Sequence, residues 1–363
     1  MTLFKKIAMM TIALLTISSA YAGHNNDCCD PCPPDPCKTC DVPGGPMQSA
    51  YSHPARVNVC GSWDMFASAS FLYWEPREDG LELGTDRHAV LANTDYARFL
   101  DMSFDFKAAF KVLLGYNFEY DNWQTVVRYT RMNMNTSTSA TKADAFDLVP
   151  AWFIDAGSSP NISKITNKWD LDFNIFDWEL GRPFYNGKEL TMNLFYGLKT
   201  GWIDQNLVST MIYSSSPVKT TAKSDSWLFG PRLGLNSNFI FCDTFRIFGD
   251  FAASLFYQKF SDVKINEELV TDASSLVINT KTTFKNINYA TELAIGLGWG
   301  TYFDNNNWYF DISAAYELQS YFNQNRMRSL KEGIDFVTGA TTDWSKPADL
   351  VMHGLTLTAR FDF

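Results

Sequence analysis

Five cysteines stand within thirteen residues near the start of the chain: Cys28, Cys29, Cys32, Cys37 and Cys40. Cys29-Asp-Pro-Cys32 and Cys37-Lys-Thr-Cys40 are C-x-x-C pairs, the spacing at which two thiolates share a zinc ion. In an oxidising compartment the same residues form disulfides instead, within the segment or between molecules. Cys60 and Cys242 complete a set of seven, an odd number that leaves at least one thiol free or joined to another molecule. The residues ahead of the cluster favour disulfides over metal. Positions 1–22 read as an export signal, with Lys5 and Lys6, an apolar stretch from Ile7 to Ile17, and small residues at Ala20 and Ala22. That stretch is shorter than the roughly 18–20 residues a membrane helix needs. Prolines 31, 33, 34 and 36 make residues 23–60 an extended arm rather than a packed domain.

Other chemistry is sparse. The four histidines are His24, His53, His88 and His353. His88 could be paired with Asp86, Asp79 or Asp101, but a His–Asp pair on a polar loop is usually solvated rather than catalytic. No G-x-S-x-G elbow, H-E-x-x-H pair or phosphate-binding loop occurs. A formal charge of −10 disfavours nucleic acid, whose phosphates need clustered Lys and Arg. We therefore expect no enzyme, no cofactor and no bound metal.

The elements that position the charged residues follow a period of two from Gly61 onward, the signature of strands with unlike faces. Phe104, Phe106, Ala108, Phe110, Val112, Leu114 and Tyr116 share one face, with Asp105, Lys107 and Lys111 on the other. Nine more segments repeat the pattern. Trp169, Leu171, Phe173 and Ile175, for example, are expected to face away from Asp170, Asp172 and Asn174. Aromatic residues make up 15% of the chain, more than a soluble core uses, and membrane barrels place them in two girdles. No run is apolar enough for a membrane helix, so a membrane location requires a closed barrel. Short turns near 117–121, 184–188, 238–243 and 304–307 alternate with long polar connections at 80–102, 133–166, 205–225, 260–285 and 320–348. The expected fold is all-β: a transmembrane antiparallel up-and-down barrel over 61–363. We count about ten strands, within a range of 10–16 should the loops at 133–166 and 320–348 hide hairpins. Both termini and the short turns would be periplasmic, and the long loops extracellular. The near-unbroken alternation from Leu276 to Thr301 exceeds the ~9–11 residues that cross a bilayer, so such strands project above it.

On this alternation the charges facing the lumen are Asp105, Lys107, Lys111, Arg128, Asp170, Asp172, Lys199, Arg232, Arg246, Asp250, Glu292, Asp311, Glu317 and Arg360. They would tune ion selectivity in an open pore, or pair up and plug a narrow one. Phe361 and Phe363 end the final strand as a C-terminal aromatic signature for barrel assembly.

Gly197-Leu-Lys-Thr-Gly-Trp202-Ile-Asp-Gln205, Phe229-Gly-Pro-Arg232-Leu-Gly-Leu235, Trp178-Glu-Leu-Gly-Arg182 and Ala69-Ser-Phe-Leu-Tyr-Trp74 resemble stretches of the Legionella-type major outer membrane protein family, and their order along the chain strengthens the resemblance. The resemblance implies an abundant surface barrel with porin-like or structural roles. Its partners would be outer membrane lipid, ions and small solutes. The Cys28–Cys40 arm is denser than that family's pattern and closer to cysteine-linked envelopes of chlamydia-related bacteria, which adds disulfide links to itself or to other Cys-rich envelope proteins. The leading expectation is a porin-like channel without covalent chemistry. The alternative is a disulfide-linked scaffold or adhesin with a plugged barrel.

Overall fold

The computed structural model describes residues 53–59, 63–88, 96–143, 147–153, 162–213, 216–241, 244–269, 272–327 and 347–363. The expected export signal, most of the expected 23–60 arm and all seven cysteines lie outside the described residues. The strands in chain order are β1 (His53–Pro54), β2 (Met65–Glu78), β3 (Gly84–His88), β4 (Tyr96–Leu100), β5 (Lys107–Asn117), β6 (Gln124–Thr141) and β7 (Asp147–Pro150). They continue with β8 (Ile162–Tyr185), β9 (Leu190–Tyr213), β10 (Ser216–Phe241), β11 (Phe245–Leu269), β12 (Asp272–Phe303), β13 (Trp308–Asn325) and β14 (Ala348–Asp362).

Ten strands close a ring in the order β2, β5, β6, β8, β9, β10, β11, β12, β13, β14, with β14 pairing back onto β2 and every neighbour antiparallel. The expected all-β barrel of about ten strands is what forms. Among the described residues the 133–166 connection gives β7 to a separate small sheet with β3 and β4 and adds no hairpin to the ring. The short turns fall where Asn, Asp and Gly predict them. Asp121, Asn122, Asp304, Asn305, Asn306 and Gly187 take positive φ there.

Two expected loops, 205–225 and 260–285, are instead hairpin arms of β9–β10 and β11–β12. The cause is an inversion of polarity along each strand. On β9, Leu194, Tyr196, Leu198 and Trp202 point out and are exposed, while further along Ile203, Leu207 and Met211 point in and are buried. The lower stretch meets an apolar surround and the upper one meets water, so the apolar row changes faces while the period of two continues.

An aromatic belt on the outer surface marks the boundary. Phe110 contacts Tyr129, which stacks on Phe176 at 4.4 Å, which contacts Trp202. Trp202 lies opposite Trp227, and Trp227 contacts Tyr257. Across β13, β14 and β2 the belt continues through Tyr316, His353, Phe106 and Tyr73. A second belt at the short-turn end joins Trp123 to Tyr196, Phe241 to Phe245, and Trp308 to Phe361 and Phe363. Trp227, in the first belt, and Phe239, exposed beside the second, are twelve residues apart on β10. At ~3.3 Å per residue and a tilt near 40° that is roughly 30 Å, a bilayer's hydrocarbon thickness.

At the short-turn end, residues 53–59 run across the mouth of the ring. β1 pairs with Phe184 and Tyr185, and the Ala55 N–H donates to the Pro183 carbonyl at 3.1 Å. Arg56 donates to the Phe118 carbonyl at 3.3 Å and lies 3.7 Å from Asp64, and the Asn58 backbone bonds the Tyr302 hydroxyl on β12.

Candidate functional site

The interior is the part of the molecule where charged side chains converge. β8 sends Asp177 and Glu179 inward, β9 sends Lys199, β10 Arg232, β12 Glu292 and β6 Arg128. Lys199 Nζ sits 2.7 Å from Asp177 and 2.9 Å from Glu292, and donates to the Tyr321 hydroxyl at 3.3 Å. Arg232 donates from Nε to Glu179 at 3.0 Å and from Nη2 to Glu292 at 3.0 Å, and its Nη1 also bonds Glu292. Arg128 joins Glu179 at 2.9 Å. Three cations and three carboxylates thus balance to zero. Beside them Lys111 holds both oxygens of Glu317, at 2.9 and 2.8 Å, and Asn236 donates to Asp250 at 3.0 Å. An electroneutral, multiply bonded set is the arrangement in which buried ions are tolerated, because each desolvated charge recovers its loss from its partners.

The guanidinium groups are also stacked. Arg232 lies over Phe195 at 5.6 Å, Arg246 over Phe248 at 5.6 Å and Arg360 over Phe66 at 4.0 Å. Two of these rings need glycine beneath them. A Cβ on Gly234 would lie 2.3 Å from the Phe195 ring, and one on Gly115 would lie 2.0 Å from Phe66.

Above the ion cluster, toward the long hairpins, the interior turns apolar. Trp74, Met132, Trp169, Phe173, Ile203, Leu207, Phe256 and Phe260 fill it from the strands. Leu81, Leu83, Leu148, Trp152 and Phe153 enter from the connections. Asn167, fully buried on β8, fixes the 81–83 segment by donating to the Leu81 and Glu82 carbonyls at 3.3 Å each, while Ser209 donates to its Oδ1 at 2.6 Å. Burial of each such side chain contributes roughly 1.5–3 kcal/mol. Between the two zones a cavity of about 10 Å³, room for one water, is bounded by Lys111, Arg128, Asp177, Lys199, Glu292 and Tyr321.

Of the charges expected in the lumen, Lys111, Arg128, Lys199, Arg232, Glu292 and Glu317 come together here, with Asp250 close by. Arg246 bonds Asp311 (2.8 Å from Nη2), and Arg360 bonds Asp362 at 2.8 and 2.6 Å; both pairs point inward nearer the short-turn end. Lys107 starts β5 on the inward side, 3.9 Å from Asp105. Asp105 itself is corrected: it precedes the strand, and its side chain is 67% exposed. Asp170 and Asp172 are corrected too. On β8 the inward row is Trp169, Leu171, Phe173, Ile175, Asp177 and Glu179, so the two aspartates point out with exposed Phe176 and Trp178. The expected assignment put the apolar row against lipid, but this length of β8 stands above the outer belt. That same error hid Asp177 and Glu179, which share the period of Trp169.

On the outer surface Asp172 lies opposite Asp204, Asp204 opposite Asp225 and Asp225 opposite Asp262. Lys223 reaches Asp225 at 2.5 Å, and Lys281 and Lys264 reach Asp262 at 2.9 and 3.4 Å. The Lys281 ammonium holds the Asp262 carboxyl below the usual range, whereas burial and then the facing Asp225 push Asp204 up. At the top of β2, burial pushes the Glu78 carboxyl well up, reinforced by Asp79 and Asp349, with the Gln205 side chain beside it. Neither Glu78 oxygen nor Gln205 Oε1 receives a hydrogen bond, so a proton on Glu78 donated to Gln205 satisfies both groups.

His353 points outward in the belt, its Nδ1 2.8 Å from the Tyr316 hydroxyl. Asp86, a candidate partner of His88, is held by Arg98 at 3.0 Å. Among the described residues no group of three or more His, Cys, Asp or Glu is placed to hold a metal ion.

The family model of the Legionella pneumophila major outer membrane protein precursor matches residues 58–363. No curated protein sequence matches the chain. Among solved structures, the outer membrane protease OmpT from Escherichia coli is similar at 14% identity, over 85% of this chain and 99% of that one, with a TM-score of 0.43. The P. putida toluene transporter TodX is similar at 7% identity over 83% and 90% of the two chains, with a TM-score of 0.29. Ail, the attachment invasion locus protein of Yersinia pestis, is similar at 15% identity over 61% and 97%, with a TM-score of 0.20.

Proposed function

The chain belongs to the family of the Legionella pneumophila major outer membrane protein, and from that premise we propose that it works as a closed, surface-exposed scaffold of the outer membrane. The filled interior carries this reading. Among the described residues the ion cluster and the apolar core above it bound a mid-barrel cavity of about 10 Å³, too little for a hydrated ion or a sugar. The short turns and both chain termini are then periplasmic, and the long hairpins with the small β3–β4–β7 sheet face outward. The protein does no covalent chemistry. Exported by residues 1–22, its cysteine-rich arm joins neighbouring envelope proteins through disulfides.

A second reading, the porin-like channel for small hydrophilic solutes and ions, draws support from Arg246 and Arg360. These inward side chains near the short-turn end remain 22% and 29% exposed. Opening the cluster would connect this partly exposed polar zone to the other side.

Single-channel recording of the refolded barrel in a planar bilayer, with sugars of graded size, separates the two. A folded barrel that passes no steady current supports the scaffold. Stable steps blocked by small sugars and not by large ones would overturn it in favour of the porin. Gel mobility with and without reductant tests the linkage, and reductant-sensitive oligomers that survive Cys28, Cys29, Cys32, Cys37 and Cys40→Ser would remove the arm from it.

A further inference from the structure

We infer that Lys259 and Lys285 form a binding site for the phosphate of an outer-leaflet glycolipid, which rests on the long hairpins being extracellular as proposed above. The two lysines lie directly opposite each other on β11 and β12, and both point outward. Like charges so placed on one face repel and are a net cost unless something between them is negative. Neither side chain has a carboxylate partner among the described residues. The acidic groups in the next register row are already engaged, Asp225 by Lys223 and Asp262 by Lys281 and Lys264.

Their height fixes what the missing anion is. Trp202, Trp227, Lys259 and Lys285 occupy one register row across four strands. The row below is Phe229, Tyr257 and Ile287, all exposed, Ile287 at 71%. Beyond them the outer face is polar: Asp225 lies opposite Asp262, and Ser261 and Thr283 follow the two lysines on their own strands. The lysines therefore stand where the apolar belt ends and headgroups begin. Directly opposite residues bring their Cβ atoms to ~5 Å, so two flexible ammonium groups converge on a single phosphate. Acyl chains would lie on Ile287 and Tyr257. The exposed indole of Trp227 beside Lys259 offers a flat apolar face for a sugar ring, which a glycolipid has and a simple phospholipid lacks.

Native mass spectrometry of the detergent-solubilised barrel tests this with three probes: a bisphosphorylated lipid A-type glycolipid, its dephosphorylated form, and phosphatidylglycerol. The bisphosphorylated glycolipid should bind at least roughly tenfold tighter than either other probe. That preference should vanish in Lys259→Ser/Lys285→Ser and persist in Lys259→Arg/Lys285→Arg. Equal binding of the dephosphorylated glycolipid to the unaltered barrel overturns the site without any variant. Equal binding of phosphatidylglycerol overturns the glycolipid. Heat-modifiable gel mobility confirms that each variant is folded. Lys281→Cys, two rows higher and exposed, reports orientation through an impermeant maleimide on whole cells. Labelling without lipid preference sinks the site alone, and no labelling sinks the orientation on which it rests.

Discussion

Replacing Lys199 by Met leaves the shape of the buried side chain and removes its charge. Lys199 is 1% exposed and Asp177 3%, so solvent cannot take over as partner. Without the ammonium, Asp177 keeps only Arg232 at 3.9 Å, and Glu292 keeps the Arg232 fork. The cluster then carries two cations against three carboxylates. Breaking one end of a buried pair costs about 3–5 kcal/mol, most of it the stranded carboxylate rather than the lost attraction. Lys199→Met/Asp177→Asn restores neutrality and should recover more than half of that loss. The assay is urea unfolding of the barrel in lipid vesicles, followed by tryptophan fluorescence and checked by heat-modifiable mobility. A single variant within about 1 kcal/mol of the parent, or a double variant no more stable than the single, would refute the view that this cluster is a mutually dependent unit.

Three further outcomes follow from the geometry. Glu78→Gln places an amide donor against Gln205 Oε1 in place of the proton, which the raised Glu78 carboxyl needs when buried. A raised folded pKa stabilises in acid and loses that contribution as pH climbs through it, so the parent's melting temperature should fall as pH rises above the ordinary carboxylate range and the variant's should stay flatter; parallel curves would refute the assignment. Trp169→Ala, at a fully buried position, should cost about 3–5 kcal/mol by urea unfolding, and a loss below about 1 kcal/mol would mean that the upper interior is loosely packed. Asp172→Cys should label with impermeant maleimide from the hairpin side and leave any conductance unchanged, whereas a change in ion selectivity would place it back in the lumen.

The barrel was legible because lipid enforces a row of apolar side chains that a period of two exposes at once, and because Asn, Asp and Gly mark the tight turns. Ten strands followed from counting such rows between turns. The ion cluster was half legible. Lys199, Arg232 and Glu292 stand opposite unmistakable outward rows, but Asp177 and Glu179 share a face with Trp169 and Phe173, which in isolation looks like a lipid row. Sequence periodicity reports that two faces differ, not which one meets which solvent. Phe176 and Trp178, continuing into the belt, are the residues that resolve the phase of β8. The pairing of Lys111 with Glu317, 206 positions apart, depends on the inward reach of β5 and β13 and has no local signal.

The change of apolar face along β8–β12 also acts as a double lock on strand alignment. In an ordinary half-buried sheet a slip of one residue is penalised once, by the exposure of one apolar row. Here the same slip on β9 would turn Ile203, Leu207 and Met211 out into water and Lys199 into hydrocarbon together. Misaligned hairpins are thus rejected by two solvents at once. This should confine errors during barrel closure to β2, β5 and β14, whose shorter paired lengths carry less of the upper register.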